Sequence, residues 1–306
     1  MAPKIKILLL EPIFCEALIA LKNQFEVFIE ILPNKEKLID VIKNKDILIL
    51  RSRIKLDKEV ILAAKNLKLV AMAGMGVDNI CLDELKKREI AWFNVPSVSA
   101  RDVAEFTLGM MFSLSRKICL ADSLLRKNQW KKSELIGTSL EDKILGIVGY
   151  GEIGQKIGTL AKYLGMNVQV YTRNSQNKTF EPNLTLVSFS KLLKTSDIIS
   201  IHVPLTEETR GMFSTTELEM MKETALLINT ARGGIINEED LYNALKNRTI
   251  GGAAVDVFEN ERQYSKLFEL DNVIVTPHIA AMTQEAQEKI GVQIVEKITD
   301  FFGHNQ

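Results

Sequence analysis

Gly149, Gly151 and Gly154 stand at the spacing of a glycine turn, between the apolar run Ile144–Val148 and a helical stretch over residues 155–164. Glycines at this spacing each have a task. The first permits a tight reversal, the second lets an anionic group approach the main chain, and the third lets the helix pack closely on the strand. The helix that starts there directs free N–H groups and the positive end of its dipole to the same spot. A pyrophosphate suits such a cradle, so the turn predicts dinucleotide binding. The spacing alone also fits an ordinary strand–helix corner. A strand before it, a helix after it and a second strand at Asn167–Tyr171 supply the context the motif demands.

The end of that second strand bears on which dinucleotide is bound. A site for NAD usually carries Asp or Glu there, about 20 residues past the turn, to hold the ribose 2′-OH. This chain reads Tyr171-Thr172-Arg173-Asn174. No carboxylate at Thr172 repels a 2′-phosphate, and Arg173 can pair with one, unless it is simply a surface residue at a strand end. The expected cofactor is NAD or NADP, with NADP favoured.

The elements around these residues alternate between short apolar runs and helical patterns. Strands are expected at residues 5–10, 25–31, 46–50, 68–72 and 90–93, then again at Ile144–Val148, Asn167–Tyr171, 197–202, 225–229, Gly252–Val255 and 272–275. Such alternation predicts parallel sheets with helices on both faces. Residues 99–118 interrupt the rhythm with an apolar helix, including Val103, Phe106, Met110, Met111 and Phe112. Its apolar circumference predicts burial on several sides, as between domains or in a dimer. A last helix over 283–302 stacks Ile290, Ile294, Ile298 and Phe301 on one face. The expected fold class is α/β, with two Rossmann-like, doubly wound parallel-sheet domains: a flavodoxin-like substrate domain (1–98 and 282–306) and an NAD(P)-binding domain (99–281).

The 306 residues suit two domains. With 39 basic and 39 acidic residues, net charge is zero, which argues against nucleic acid or an anionic membrane as partner. Three cysteines, Cys15, Cys81 and Cys119, lie far apart, so neither a disulfide framework nor a metal site is expected. No run approaches the ~18 apolar residues of a membrane span. The expected compartment is the cytoplasm.

Three further stretches carry a family resemblance: Leu227 through Asp240, with Asn229-Thr230-Ala231-Arg232-Gly233-Gly234 inside it, Ala254 through Glu261, and Thr276-Pro277-His278-Ile279-Ala280-Ala281. With the glycine turn, Leu50-Arg51-Ser52 and Ala73-Gly74-Met75-Gly76-Val77-Asp78-Asn79, their order resembles the D-isomer-specific 2-hydroxyacid dehydrogenases over the whole chain. Within that family the resemblance is closest to the phosphoglycerate dehydrogenases of serine biosynthesis. It implies hydride transfer between the cofactor and a small D-2-hydroxy acid or 2-keto acid, with 3-phosphoglycerate as the leading substrate. Glyoxylate or hydroxypyruvate reduction is the alternative, and a dinucleotide-sensing corepressor is the alternative of another class.

The resemblance also implies roles. His278 matches the general acid/base, and histidine's ordinary pKa near ~6.5 suits reversible proton transfer. Glu261 matches the carboxylate that orients the imidazole, and Arg232 the cation that grips substrate oxygens. Taken singly, each also reads as a turn, surface or loop residue. Asp256 matches the acceptor for the nicotinamide carboxamide, or else caps a turn. Glu152, Ile153, His202, Val203, Pro204, Thr230, Ala231 and Ala280 fall where the family lines its cofactor pocket. His202 itself reads as structural, and His304 as without a role. Gly74, Met75 and Gly76 match a loop whose N–H groups cradle the substrate carboxylate, though a tight turn is also possible there. Arg51, with Arg53 and Lys55 nearby, is a candidate phosphate ligand, since Met72 stands where phosphoglycerate dehydrogenases often carry Arg. Arg262 replaces the proline that usually follows the catalytic Glu, which predicts a looser loop. No C-terminal regulatory domain is expected after Gln306. A homodimer built on the apolar helix is.

Overall fold

The structure is a computed structural model, and it describes residues 4–173 and 184–303. Asn174 and His304 lie outside the described residues. The chain forms two compact units: Met1–Ser99 with Met282–Gln306, and Ala100–Ala281.

In the first unit, β1 (Lys6–Leu9), α1 (Cys15–Gln24), β2 (Glu26–Ile29), α2 (Lys35–Ile42), β3 (Ile47–Leu50), α3 (Lys58–Ala63), β4 (Leu69–Met72), α4 (Leu82–Lys87) and β5 (Ala91–Asn94) alternate strictly. All the strand pairs are parallel, in the order β2-β1-β3-β4-β5, which is the flavodoxin-like arrangement. β3 and β4 are buried at every position because helices cover both faces, so they read as continuous apolar runs. Leu8, Leu48, Leu50 and Val70 point to one core; Ile7, Leu9, Ile49 and Ala71 point to the other. Helix N-termini are set by short polar side chains: Asn34 accepts from Lys37 N at 2.9 Å and Asp57 from Val60 N at 3.1 Å.

The second unit opens with α5 (Ala100–Ser115) and α6 (Ile118–Arg126). It continues with β6 (Ile144–Val148), α7 (Glu152–Tyr163), β7 (Asn167–Tyr171), β8 (Leu184–Leu186), α8 (Phe189–Thr195), β9 (Ile198–Ile201), α9 (Thr215–Glu219), β10 (Leu226–Asn229), α10 (Glu238–Lys246), β11 (Gly252–Val255) and β12 (Val273–Val275). Its seven strands run parallel in the order β12-β11-β10-β9-β6-β7-β8. Chain direction across the sheet reverses between β6 and β9, the switch point at which ligands bind in such folds. The final helix, α11 (Gln284–Gly303), belongs to the first unit. There it buries Ile290, Ile294 and Ile298 against Ile7, Leu9 and Leu21, each worth about 1.5–3 kcal/mol when fully covered.

Two features depart from the expectation. The apolar helix stops at Ser115 because Lys117 turns left-handed, at φ 53°, and α6 follows in a new direction. Its burial also has a local cause. Ala104, Met110 and Met111 pack into the core of their own unit with Ile147, Tyr150, Ile157 and Ile228, so no dimer is needed to cover that face. Phe112 on this helix is exposed, and further on Ile118, Leu125, Trp130 and Ile136 are all more than half exposed. The three-residue edge strand β8 was too short to show a period in the sequence. Among the described residues, no helix is long and apolar enough to cross a membrane.

Candidate active site

The glycine turn leaves β6 at the switch point, and its backbone shows why glycine is required. Gly149 sits at φ +96°, and a Cβ there would lie 2.4 Å from the His202 carbonyl oxygen. A Cβ on Gly154 would lie 2.3 Å from Gly149 O, so this glycine serves the close helix–strand packing. Gly151 differs from both. A Cβ there meets nothing within 4 Å, so no neighbour in the protein explains the glycine. Gly151 is also the N-cap of α7, and no side chain caps the helix there. An open space beside a helix N-terminus, at the residue whose side chain is missing, fits a pyrophosphate. Glu152 and Ile153 form the first turn of that helix.

On either side of this turn stand the ends of β7 and β9. Thr172 follows β7, and Arg173 pairs through Nη1 with Glu208 Oε2. His202, just past β9, accepts from or donates to Ser200 Oγ through Nε2 at 2.7 Å, while its Nδ1 is buried without a partner. Burial pushes the imidazole pKa down to about 3, so the ring is neutral near pH 7. Val203 and Pro204 continue into a tight loop in which Thr209 Oγ1 donates to Pro204 O at 2.6 Å. Thr230 is buried after β10, and its hydroxyl meets that of Thr107 on α5 at 3.0 Å. Thr107 was missed in the sequence. A threonine at helical spacing between Val103 and Met110, on the apolar side of the helix, was the available signal.

Arg232, Glu261 and His278 follow β10, β11 and β12, on the carboxyl edge of the same sheet as the glycine turn. His278 Nδ1 lies 2.6 Å from Glu261 Oε1. The carboxylate can only accept, so Nδ1 carries the proton and Nε2 is left as the nitrogen able to exchange one. Both side chains are about seven-tenths buried. His278 is held at φ 58°, a conformation a non-glycine residue adopts only under constraint. The constraint is Asp256, which is fully buried. Its backbone carbonyl accepts from His278 N at 2.8 Å. Its carboxylate accepts from Thr276 Oγ1 (2.6 Å), Ile279 N (2.9 Å) and Ala280 N (2.9 Å). In this structure, then, Asp256 caps the turn that presents the imidazole, and Ala280 is one of its donors.

Asn229, which sequence reasoning also missed, organises the arginine in a similar way. Its Oδ1 accepts from Ala231 N at 3.0 Å and its Nδ2 donates to Arg232 O at 2.9 Å. Arg232 Nη1 donates to Ala231 O at 2.6 Å. A Cβ on Gly233 would lie 2.0 Å from the Phe258 carbonyl, so only glycine lets the Arg232 turn lie against the loop that leads to Glu261. Arg262, the next residue along, sits at φ 71°. Proline is locked near −65°, so this loop follows a path that the family's usual residue cannot take.

In the first unit, Gly74, Met75 and Gly76 follow β4. The Gly74 N–H is already donated to Met72 O at 2.9 Å, which leaves Met75 and Gly76 to supply the expected cradle. Met72 itself is core, packed with Leu50, Val70 and Ile80. Arg51 Nη1 donates to Gln287 Oε1 at 2.5 Å, and burial lowers the guanidinium pKa. Arg53 Nε donates to the buried Glu11 at 2.9 Å, and Glu11 also accepts from Arg51 N and Arg53 N. Lys55 is exposed. Among the described residues, no group of His, Cys, Asp and Glu could hold a metal ion.

The model of the D-isomer specific 2-hydroxyacid dehydrogenase NAD-binding domain matches residues 108–280. A D-3-phosphoglycerate dehydrogenase from Archaeoglobus fulgidus is 38% identical over 96% of the chain, which spans 57% of that protein. A hydroxypyruvate reductase from Thermotoga maritima is 41% identical over 90% of the chain and 91% of its own length. Among solved structures, D-lactate dehydrogenase from Aquifex aeolicus, complexed with NAD and lactic acid, superposes with a TM-score of 0.88. It shares 30% identity and covers 98% of this chain and 96% of its own. An acyclic imino acid reductase in complex with NADPH and D-Arg gives the same TM-score and identity, over 98% and 96% of the two chains. A nicotinamide-dinucleotide turn, a histidine–carboxylate pair and an arginine on one sheet edge thus coincide with whole-chain similarity: the chain belongs to the D-isomer specific 2-hydroxyacid dehydrogenase family.

Proposed function

We propose that this oxidoreductase reduces a small 2-keto acid to the D-2-hydroxy acid, and runs the reverse reaction, using NAD or NADP. The observation that carries the reading is the 2.6 Å contact between His278 Nδ1 and Glu261. The bound dinucleotide supplies or takes the hydride. His278 Nε2 gives its proton to the carbonyl oxygen as the hydride arrives at the adjacent carbon, and takes it back in oxidation. Glu261 holds the imidazole in the required tautomer and stabilises its charged form. Arg232 grips the substrate carboxylate and carbonyl oxygens through its fork. In the first unit, Arg51 and the Gly74–Gly76 turn are proposed to bind the substrate's anionic groups. Thr172 and Arg173 favour NADP at the 2′ position.

The leading substrate is 3-phosphoglycerate. One observation favours glyoxylate or hydroxypyruvate instead: Arg53 is already paired with Glu11, which weakens the case for a dedicated phosphate site. A panel of 3-phosphohydroxypyruvate, hydroxypyruvate, glyoxylate and pyruvate, each with NADH and NADPH, separates the two. In that panel His278→Ala should lower kcat by at least about a hundredfold for every accepted substrate. Unchanged turnover would remove the catalytic assignment and favour a dinucleotide-sensing protein. The proposed assembly is a homodimer. It is supported by exposed apolar side chains at Ile118, Leu125, Trp130 and Ile136, and would be refuted by a monomer mass in light scattering at micromolar concentration.

A further inference from the structure

The ion pair at the end of β7 joins the two loops that flank the glycine turn. The strand order β9-β6-β7 places the β6 turn between them, with Arg173 on one side and Glu208 on the other. Both side chains are at least half exposed, so neither is there to satisfy a core. The loop that carries Glu208 is rigidly tied. Thr206 N donates to Thr209 Oγ1 at 2.8 Å, Arg210 N to Thr206 O at 2.9 Å, and Gly211 N to Gly234 O at 2.8 Å. Its first residues, His202 and Val203, lie against Gly149 itself. The backbone that carries Glu208 is therefore held beside the glycine turn, and its carboxylate stays within reach of Arg173.

We propose that Glu208 sets how far the site discriminates between dinucleotides with and without a 2′-phosphate, acting against and together with Arg173. The inference rests on the reading that Arg173 faces the 2′ position. A 2′-phosphate brings a charge of about −1.5 to −2 at neutral pH. It gains charge-assisted hydrogen bonds from the guanidinium, but it must share that fork with a carboxylate already bound to it, or displace the carboxylate. A 2′-hydroxyl brings no charge and can donate to the Glu208 carboxylate. The pair therefore offers each cofactor a partner. Thr172-Arg173 alone predicts a preference for NADP; with Glu208 opposite, that preference is narrowed and NAD is accepted as well.

The test is calorimetric binding of adenosine 2′,5′-bisphosphate and of 5′-AMP to the wild-type chain, to Glu208→Gln and to Arg173→Ala. Both substitutions are at exposed positions, and thermal melts verify folding. Arg173→Ala should weaken the bisphosphate selectively. Glu208→Gln should tighten the bisphosphate by about fivefold at low salt, with the gain shrinking as salt is added, and should not tighten 5′-AMP. If Arg173→Ala is selective but Glu208→Gln changes both fragments equally or neither, the role of Glu208 is overturned and the 2′-phosphate reading stands. If Arg173→Ala shows no selectivity, that reading fails and the inference falls with it.

Discussion

Glu261 Oε1 meets His278 Nδ1 at 2.6 Å, and the residues around His278 hold the turn that makes this contact. Asp256 takes four hydrogen bonds from the 276–280 turn through its carboxylate and carbonyl. Replacing Glu261 by Gln keeps the shape but lets the amide accept or donate, so the imidazole tautomer is no longer imposed. The expected result is a fall in kcat of about two orders of magnitude. Dinucleotide affinity, measured by fluorescence titration, should stay the same. A variant with unaltered kcat would show that Glu261 does not orient the base. Arg262 belongs to the same scale: its positive φ shapes the loop just past the carboxylate.

At the scale of the element, the strand–turn–helix unit separates two uses of glycine. Gly149 is needed by the fold, because its φ is +96° and its carbonyl neighbour is 2.4 Å from where a Cβ would sit. Gly149→Ala should therefore destabilise the second unit by about 2–4 kcal/mol, seen as a lower Tm with no ligand present. At Gly151 no neighbour in the protein requires a glycine, so the proposed pyrophosphate is what would require it. Gly151→Ala should change stability by less than about 1 kcal/mol, yet weaken dinucleotide binding by at least about tenfold. If Gly151→Ala bound the cofactor normally, the pyrophosphate would not lie over that residue.

For the whole molecule, His202 makes stability depend on pH. Its folded pKa is about 3, against about 6.5 in the unfolded chain. Above about pH 6.5 both states are neutral and the residue contributes nothing to the pH dependence. As pH falls through the window from about 6.5 towards 3, the unfolded state takes up a proton that the folded state refuses, and stability declines. At pH 5 this one residue accounts for about 2 kcal/mol of the loss. Denaturant melts at pH 7 and pH 5 should show that His202→Gln loses correspondingly less than the wild type. Equal losses in the two proteins would mean that the imidazole is not kept neutral.

The sequence by itself determined the periodic, local features. β3, β4, β6 and β10 are short runs of apolar residues between turn signals, so two parallel sheets were legible. The glycine turn was legible because its spacing falls between a strand and a helix that are both local patterns, although the neighbour that forbids a side chain at Gly149 is His202, 53 positions along the chain. The order of Arg232, Glu261 and His278 was legible too, since each follows a strand. Only the tertiary structure decided what those residues touch. Glu261 lies 17 positions from His278 and reaches it only because β11 and β12 are neighbours in the sheet. The capping work of Asp256, the Thr107–Thr230 contact and the Arg173–Glu208 pair likewise join residues 20 to 123 positions apart. No spacing rule in the chain encodes such distances. The apolar helix α5 makes the same point at larger scale: its pattern announced burial, but which surface buried it was settled by the core of its own unit.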